Sequence, residues 1–118
     1  MIVKFKANKK PHTGWLIKDK LYVVLGISFD CDEHSPTITI KTEDADIPAI
    51  FNLDEFEIIE PSISPNWVMT VHSPTCYSIR PKEFTGDFWD DFHDADPHAE
   101  EIFWNVYKEL EKELALFL

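Results

Sequence analysis

The apolar pattern after Asp96 constrains the fold of this chain more than any other feature. Ala99, Ile102, Phe103, Val106, Tyr107, Leu110, Leu114 and Phe117 recur in the i, i+3, i+4, i+7 rhythm that puts side chains on one face of an α-helix. Asp96 suits an N-cap and Pro97 the first helical position, with Glu100 and Glu101 in the first turns where the helix dipole favours them. The spacing predicts one helix from Pro97 to Leu116 with Phe103, Val106, Tyr107 and Leu110 buried. Glu101, Asn105, Lys108, Glu109, Lys112 and Glu113 take the opposite side, and Trp104 falls off the stripe. A lone amphipathic helix cannot bury its own stripe, so the rest of the chain must supply a layer to receive it.

Residues 1–60 read as that layer. Ile2–Ala7 alternates weakly, Lys20–Phe29 is rich in β-branched and aromatic residues, and Thr37–Thr42 alternates cleanly with Ile38 and Ile40 on one face. Gly26 predicts a bulge or bend inside the second segment. Ile47–Phe51 and Phe56–Glu60 make two more short strands, joined tightly by Asn52–Glu55. Five short strands separated by turn signals suggest a rolled antiparallel sheet or small barrel. Gly14-Trp15-Leu16 followed by Lys20-Leu21-Tyr22-Val23-Val24 resembles the opening of SH3-like barrels.

Residues 61–82 form an extended segment punctuated by Pro61, Pro65, Pro74 and Pro81. Trp67–Val71 and Cys76–Ile79 fit between the prolines as edge strands or extended chain. Trp67, Val68, Val71, Tyr77 and Ile79 call for burial there. Residues 83–118 are the helical part, opened by a short helix or turn over Phe84–His93. The expected fold is α+β in a single domain over 1–118: an N-terminal rolled sheet or SH3-like barrel with a C-terminal helix packed on it. A chain of 118 residues and 13.8 kDa can bury such a core without staples.

Charge narrows the function classes. The formal net charge is −11, which disfavours nonspecific nucleic-acid binding and docking on anionic lipid. Six lysines crowd the first twenty residues: Lys4, Lys6, Lys9, Lys10, Lys18 and Lys20. With Phe5, Trp15 and Tyr22 they could form a small nucleic-acid face, but the acidic remainder would repel that ligand. No apolar run reaches the length of a membrane span, and the first residues show no secretory leader. Cys31 and Cys76 make no disulfide framework, so free thiols and a cytoplasmic setting are expected.

Motifs for chemistry are thin. Cys31 and His34 have a C-x-x-H spacing, but no second pair completes a tetrahedron. Asp90–His98 offers oxygens without the glycine and glutamate that a calcium loop needs. His72 and Cys76 could form a thiolate pair but lack an oxyanion loop, and three glycines are too few for a phosphate loop. No catalytic residue, metal site or cofactor is therefore assigned.

The densest feature is acidic and aromatic. Glu83, Asp87, Asp90, Asp91, Asp94, Asp96, Glu100 and Glu101 occupy a stretch without a base. Phe84, Phe88, Trp89, Phe92, Phe103 and Trp104 lie among them. Aromatic anchors inside a charged rim are the composition of a protein interface. Trp67-Val68, Pro81, Phe84, Gly86, Phe88, Trp89, Phe92, Asp94, Asp96 and Ala99 resemble a segment of small acidic bacterial immunity proteins from toxin–immunity systems. The resemblance spans residues 67–103. It implies a non-enzymatic inhibitor that binds a basic partner, such as a toxin nuclease domain, and blocks its active site. The expected contact residues are Asp87, Trp89, Asp90, Asp91, Asp94 and Trp104. The alternatives are a regulatory or adaptor module with another protein partner, and an enzyme with an unmarked site.

Overall fold

A computed structural model describes residues 1–6, 16–17, 19–30, 36–42 and 47–116. Among them, eight strands form two antiparallel sheets. β1 (Ile2–Phe5) lies between β2 (Leu21–Val23) and β6 (Phe56–Glu60). The second sheet has the order β5-β4-β3-β8-β7, built from β3 (Gly26–Asp30), β4 (Thr37–Ile40), β5 (Ala49–Asn52), β7 (Trp67–Ser73) and β8 (Cys76–Pro81).

The two sheets share one core because the chain changes sheet three times, twice within the first sixty residues and once more between β6 and β7. At the first change, the Val24 N–H still donates to Met1 C=O, while the Leu25 N–H already donates to Thr39 C=O. The expected single strand over residues 20–29 is thus two strands around a bend, and Gly26 opens the second of them. The second change is a 3-10 turn at Leu53–Glu55, where a tight connection was expected. β6 then closes on β1, with Phe5 opposite Phe56. Val3, Phe5, Leu25, Ile27, Ile38, Ile40, Phe51 and Phe56 fill the interior. A bent second segment, a 3-10 turn and a last strand returning to the first give two antiparallel sheets around one core, within the α+β fold expected. The Lys-rich cluster at Lys9, Lys10 and Lys18, together with Trp15, Cys31 and His34, falls outside the described residues.

The β7–β8 hairpin extends the second sheet by pairing β8 with β3, from Ile27 opposite Ile79 to Asp30 opposite Cys76. This corrects the expectation that both segments lie at an edge. β8 is interior because its prolines fall where the ladder has ended: Pro74 in the hairpin turn and Pro81 beyond Ile79, the last partner of β3. Burial is also more selective than expected. Trp67 is buried, Tyr77 and Ile79 are half-buried, and Val68 and Val71 are exposed. Cys76 carries a free thiol.

Two helices complete the chain: α1 (Phe88–His93) and α2 (Pro97–Ala115). The Asp96 carboxylate accepts from the Ala99 N–H at 3.0 Å, the N-cap expected from the sequence. α2 packs on β2 and on α1. Ala99, Phe103 and Leu110 are buried, whereas Ile102, Val106 and Tyr107 are only partly covered. The inward stripe is therefore narrower than the sequence period suggests. No helix of the described residues is long and apolar enough to cross a membrane.

Candidate functional site

The acidic stretch folds into an elbow between α1 and α2. α1 ends in a Schellman motif, in which the Asp96 N–H donates to Asp91 C=O and the Ala95 N–H to Phe92 C=O. Ala95 sits at the left-handed position with φ of 60°. Asp96 is at once the residue that closes this motif and the N-cap of α2. One shared residue thus fixes the direction of the second helix against the first.

Aromatic packing locks the elbow from beneath. Phe84, Phe88, Phe92 and Phe103 are all buried. Phe84 stacks on Phe88 with centroids 4.8 Å apart and on Phe103 at 5.9 Å, and Phe92 lies 4.9 Å from Phe103. The rings whose abundance suggested an interface are in the main a second small core, needed because α1 is too short to be stable alone. Phe88 and Phe92 lie four residues apart and Phe103 faces them from α2, a relation the sequence periodicity did not expose because α1 spans fewer than two turns.

With the rings turned inward, the acids face out. Asp87, Asp90, Asp91 and Asp94 are exposed, as are Glu83, Asp96, Glu100 and Glu101. Among the described residues the ion pairs are Lys4 with Glu57 and Lys112 with Glu109, and neither touches the elbow. Among the described residues, the side-chain hydrogen bonds that engage these eight acids are Asn66 to Glu83 and the Asp96 cap. Four of the proposed contact residues, Asp87, Asp90, Asp91 and Asp94, are therefore brought together on one rigid, negatively charged rim.

The two tryptophans are placed differently. Trp89 is half-buried, with its ring against Phe84, Phe88, Phe92, His93 and Phe103. It supports the rim more than it projects from it. Trp104 is 36% exposed and touches Phe103 and Tyr107. It lines a separate cleft of about 460 Å³ with Lys20, Tyr22, Lys41, Tyr107 and Glu111. The Lys41 ammonium lies 5.6 Å from the centroids of both Trp104 and Tyr107, within cation–π range. Desolvation, reinforced by the charge of Glu111 and a hydrogen bond to it, pushes the Tyr107 phenol up to about 12.

A second polar cluster lies on the outer face of the five-stranded sheet, and of its members only His72 was singled out by the sequence pattern. Arg80 Nε and Nη2 donate to Ser78 Oγ at 3.2 and 2.7 Å. Arg80 Nη2 and Ser78 Oγ both approach His72 Nε2, at 3.2 and 2.9 Å. A guanidinium only donates, so Nε2 accepts and the Ser78 hydroxyl donates its hydrogen bond to that nitrogen. No hydrogen bond joins the candidate pair Cys76 and His72 among the described residues, and His72 Nε2 is engaged by Ser78 and Arg80 instead. Among the described residues no group of three or more His, Cys, Asp or Glu side chains is arranged to hold a metal ion. No family model, curated protein or solved structure matches the chain.

Proposed function

We propose that this chain is a non-catalytic binding module whose α1–α2 elbow docks on a basic protein surface. The observation that carries the reading is the rim of Asp87, Asp90, Asp91 and Asp94: exposed, without ion-pair partners among the described residues, and held on a capped elbow over buried rings. Carboxylates gathered in one place repel each other, and a preorganised rim offsets that repulsion only on meeting complementary charge. Because the elbow is rigid before contact, little ordering is required when it binds. The more specific proposal is an inhibitor of the immunity type. A nuclease active site is cationic because it handles phosphate, and an acidic rim can cover it by presenting the same sign of charge.

The test is binding kinetics against the protein encoded beside this chain, with Asp90→Lys/Asp91→Lys compared with the wild type. Association should slow by about tenfold or more and lose its salt dependence, with dissociation much less affected. Unchanged rates with an intact circular dichroism spectrum would remove the elbow from the interface and make the Lys-rich first twenty residues the next candidate. Trp89→Ala is a poorer probe of contact, because that ring is part of the packing beneath.

A further inference from the structure

Four strands stand at the edges of the two sheets, and they are not alike. β2 has three residues and lies under α2, β6 carries Glu57 and Glu60, and β5 has four residues next to Pro48. β7 runs for seven residues, Trp67–Ser73, and contains no lysine, arginine, acid or proline; its one irregularity is a register shift between Val71 and Ser73, which leaves the ladder from Trp67 to Val71 regular. Exposed edges are usually guarded by such residues. β7 instead presents Met69 at 59% and Val71 at 67% exposure.

The ladder shows which backbone groups are open. The Lys82 N–H donates to Asn66 C=O, so residues 66 and 82 form a hydrogen-bonded pair. Alternation along an antiparallel ladder then bonds Val68 with Arg80 and Thr70 with Ser78. It turns the N–H and C=O of Met69 away from β8, toward open space. The Trp67 N–H, which also points outward, is already taken by Ser64 C=O. Met69 is thus the centre of an unused main-chain template.

Charge gives this edge a preference. Residues 61–82 contain no acid and carry Arg80 and Lys82, in a chain of net charge −11. Arg80 is the only arginine. It projects from the outer face, its Cβ 3.4 Å from where a side chain on Gly26 would begin, and it is half-buried with no carboxylate partner among the described residues. Desolvation pulls its pKa below the ordinary value, with no counter-charge opposing the shift. Ser78 and His72 fix Nε and Nη2 and leave Nη1 for an incoming acceptor. His72 belongs to β7 itself, so the guanidinium is held beside the open edge.

We propose that β7 receives an extended segment of a partner protein as a sixth strand. The segment carries apolar side chains on the face of Met69 and Val71 and a carboxylate on the other face, which pairs with Arg80. Main-chain bonds to Met69 supply the docking, and alternate side-chain positions supply the selectivity. This surface is separate from the acidic elbow and selects for the opposite charge.

The test is selection of short random peptides displayed on phage against the immobilised full chain. Enriched peptides should alternate apolar residues with an aspartate or glutamate. Their binding should protect the Met69 amide from hydrogen exchange. Met69→Pro removes the outward N–H without breaking a bond to β8, as edge positions allow, and should abolish binding. Arg80→Gln keeps a donor for Ser78 but not the charge, and should weaken binding about tenfold or more. Enrichment of nothing, of peptides without an acidic position, or of peptides that leave Met69 unprotected would overturn the proposal. So would a wild-type chain that sediments as a dimer while Met69→Pro is monomeric, since the edge would then belong to a second copy. The exchange measurement uses wild-type protein and decides the matter even if Met69→Pro does not fold.

Discussion

Phe103 joins the elbow to the long helix, and replacing it by alanine tests how firmly the acidic rim is held. The side chain is fully buried, with Phe84, Phe92, Trp89, Trp104 and Tyr107 around it at centroid distances of 4.9 to 6.2 Å. Removing about 150 Å² of buried apolar surface at about 25 cal/mol per Å² costs about 4 kcal/mol. Lost ring–ring contacts add to this, and a compact unfolded state subtracts from it. The expected loss is about 3–5 kcal/mol. A domain of this size has a total stability of about 6–18 kcal/mol, so the variant should remain measurable but weakened. Urea unfolding followed by far-ultraviolet circular dichroism gives the number, with an unchanged m-value showing that the same surface unfolds. A loss below about 1 kcal/mol would refute the reasoning, because it would mean that the rings do not pack as one unit and that the rim rests on something else.

Two further outcomes follow from backbone and titration. Ala95 holds a left-handed conformation that costs a residue with a Cβ about 1 kcal/mol, so Ala95→Gly should raise stability by about 0.5–1 kcal/mol in the same urea assay. Tyr107 has a folded pKa raised from 10.0 to about 12. The folded state therefore holds the phenolic proton more tightly than the unfolded one, and that stabilisation is complete below pH 10 and lost as the pH rises through 12. Wild type should lose stability relative to Tyr107→Phe across this window, and parallel alkaline unfolding of the two proteins would contradict the assignment.

What the sequence disclosed follows the range of the interactions. α2 was legible from Asp96 onward because its cap, its proline and its apolar period are all local. The six strands of the first sixty residues were legible as five segments, with β2 and β3 read as one, since alternation and turn residues are local too. The bend between β2 and β3 was marked by Gly26, but the passage of its two halves into different sheets was not, because it depends on which strand offers Met1 and Thr39 as acceptors. β8 was misplaced for the same reason: its neighbour β3 lies some fifty residues away in the chain, and propensity carries no information on that pairing. The exposed acids were legible as a group. The division of the rings, with Phe84, Phe88, Phe92 and Phe103 inward and Trp104 beside Lys41, required the angle between two helices, and that angle is set by Ala95 and Asp96.

The contrast between the elbow and the β7 edge sharpens the reading of this chain as a binding protein. Glu83 begins the acidic stretch one residue after Lys82 ends the acid-free one, so the change of sign falls where the hairpin gives way to the helical part. Solubility alone would be served by acids spread over every surface, and it gives no reason to leave residues 61–82 without one. An unguarded edge is a hazard unless something pairs with it, and a rim of unpaired carboxylates stores repulsion unless something neutralises it. Each surface is costly to an isolated chain in a way that a partner of definite chemistry relieves. Because the two partners would be of opposite charge, one molecule could not occupy both sites by the same contact. Competition between a basic protein and an acidic peptide for this chain should therefore be absent, and each should bind with the affinity it shows alone.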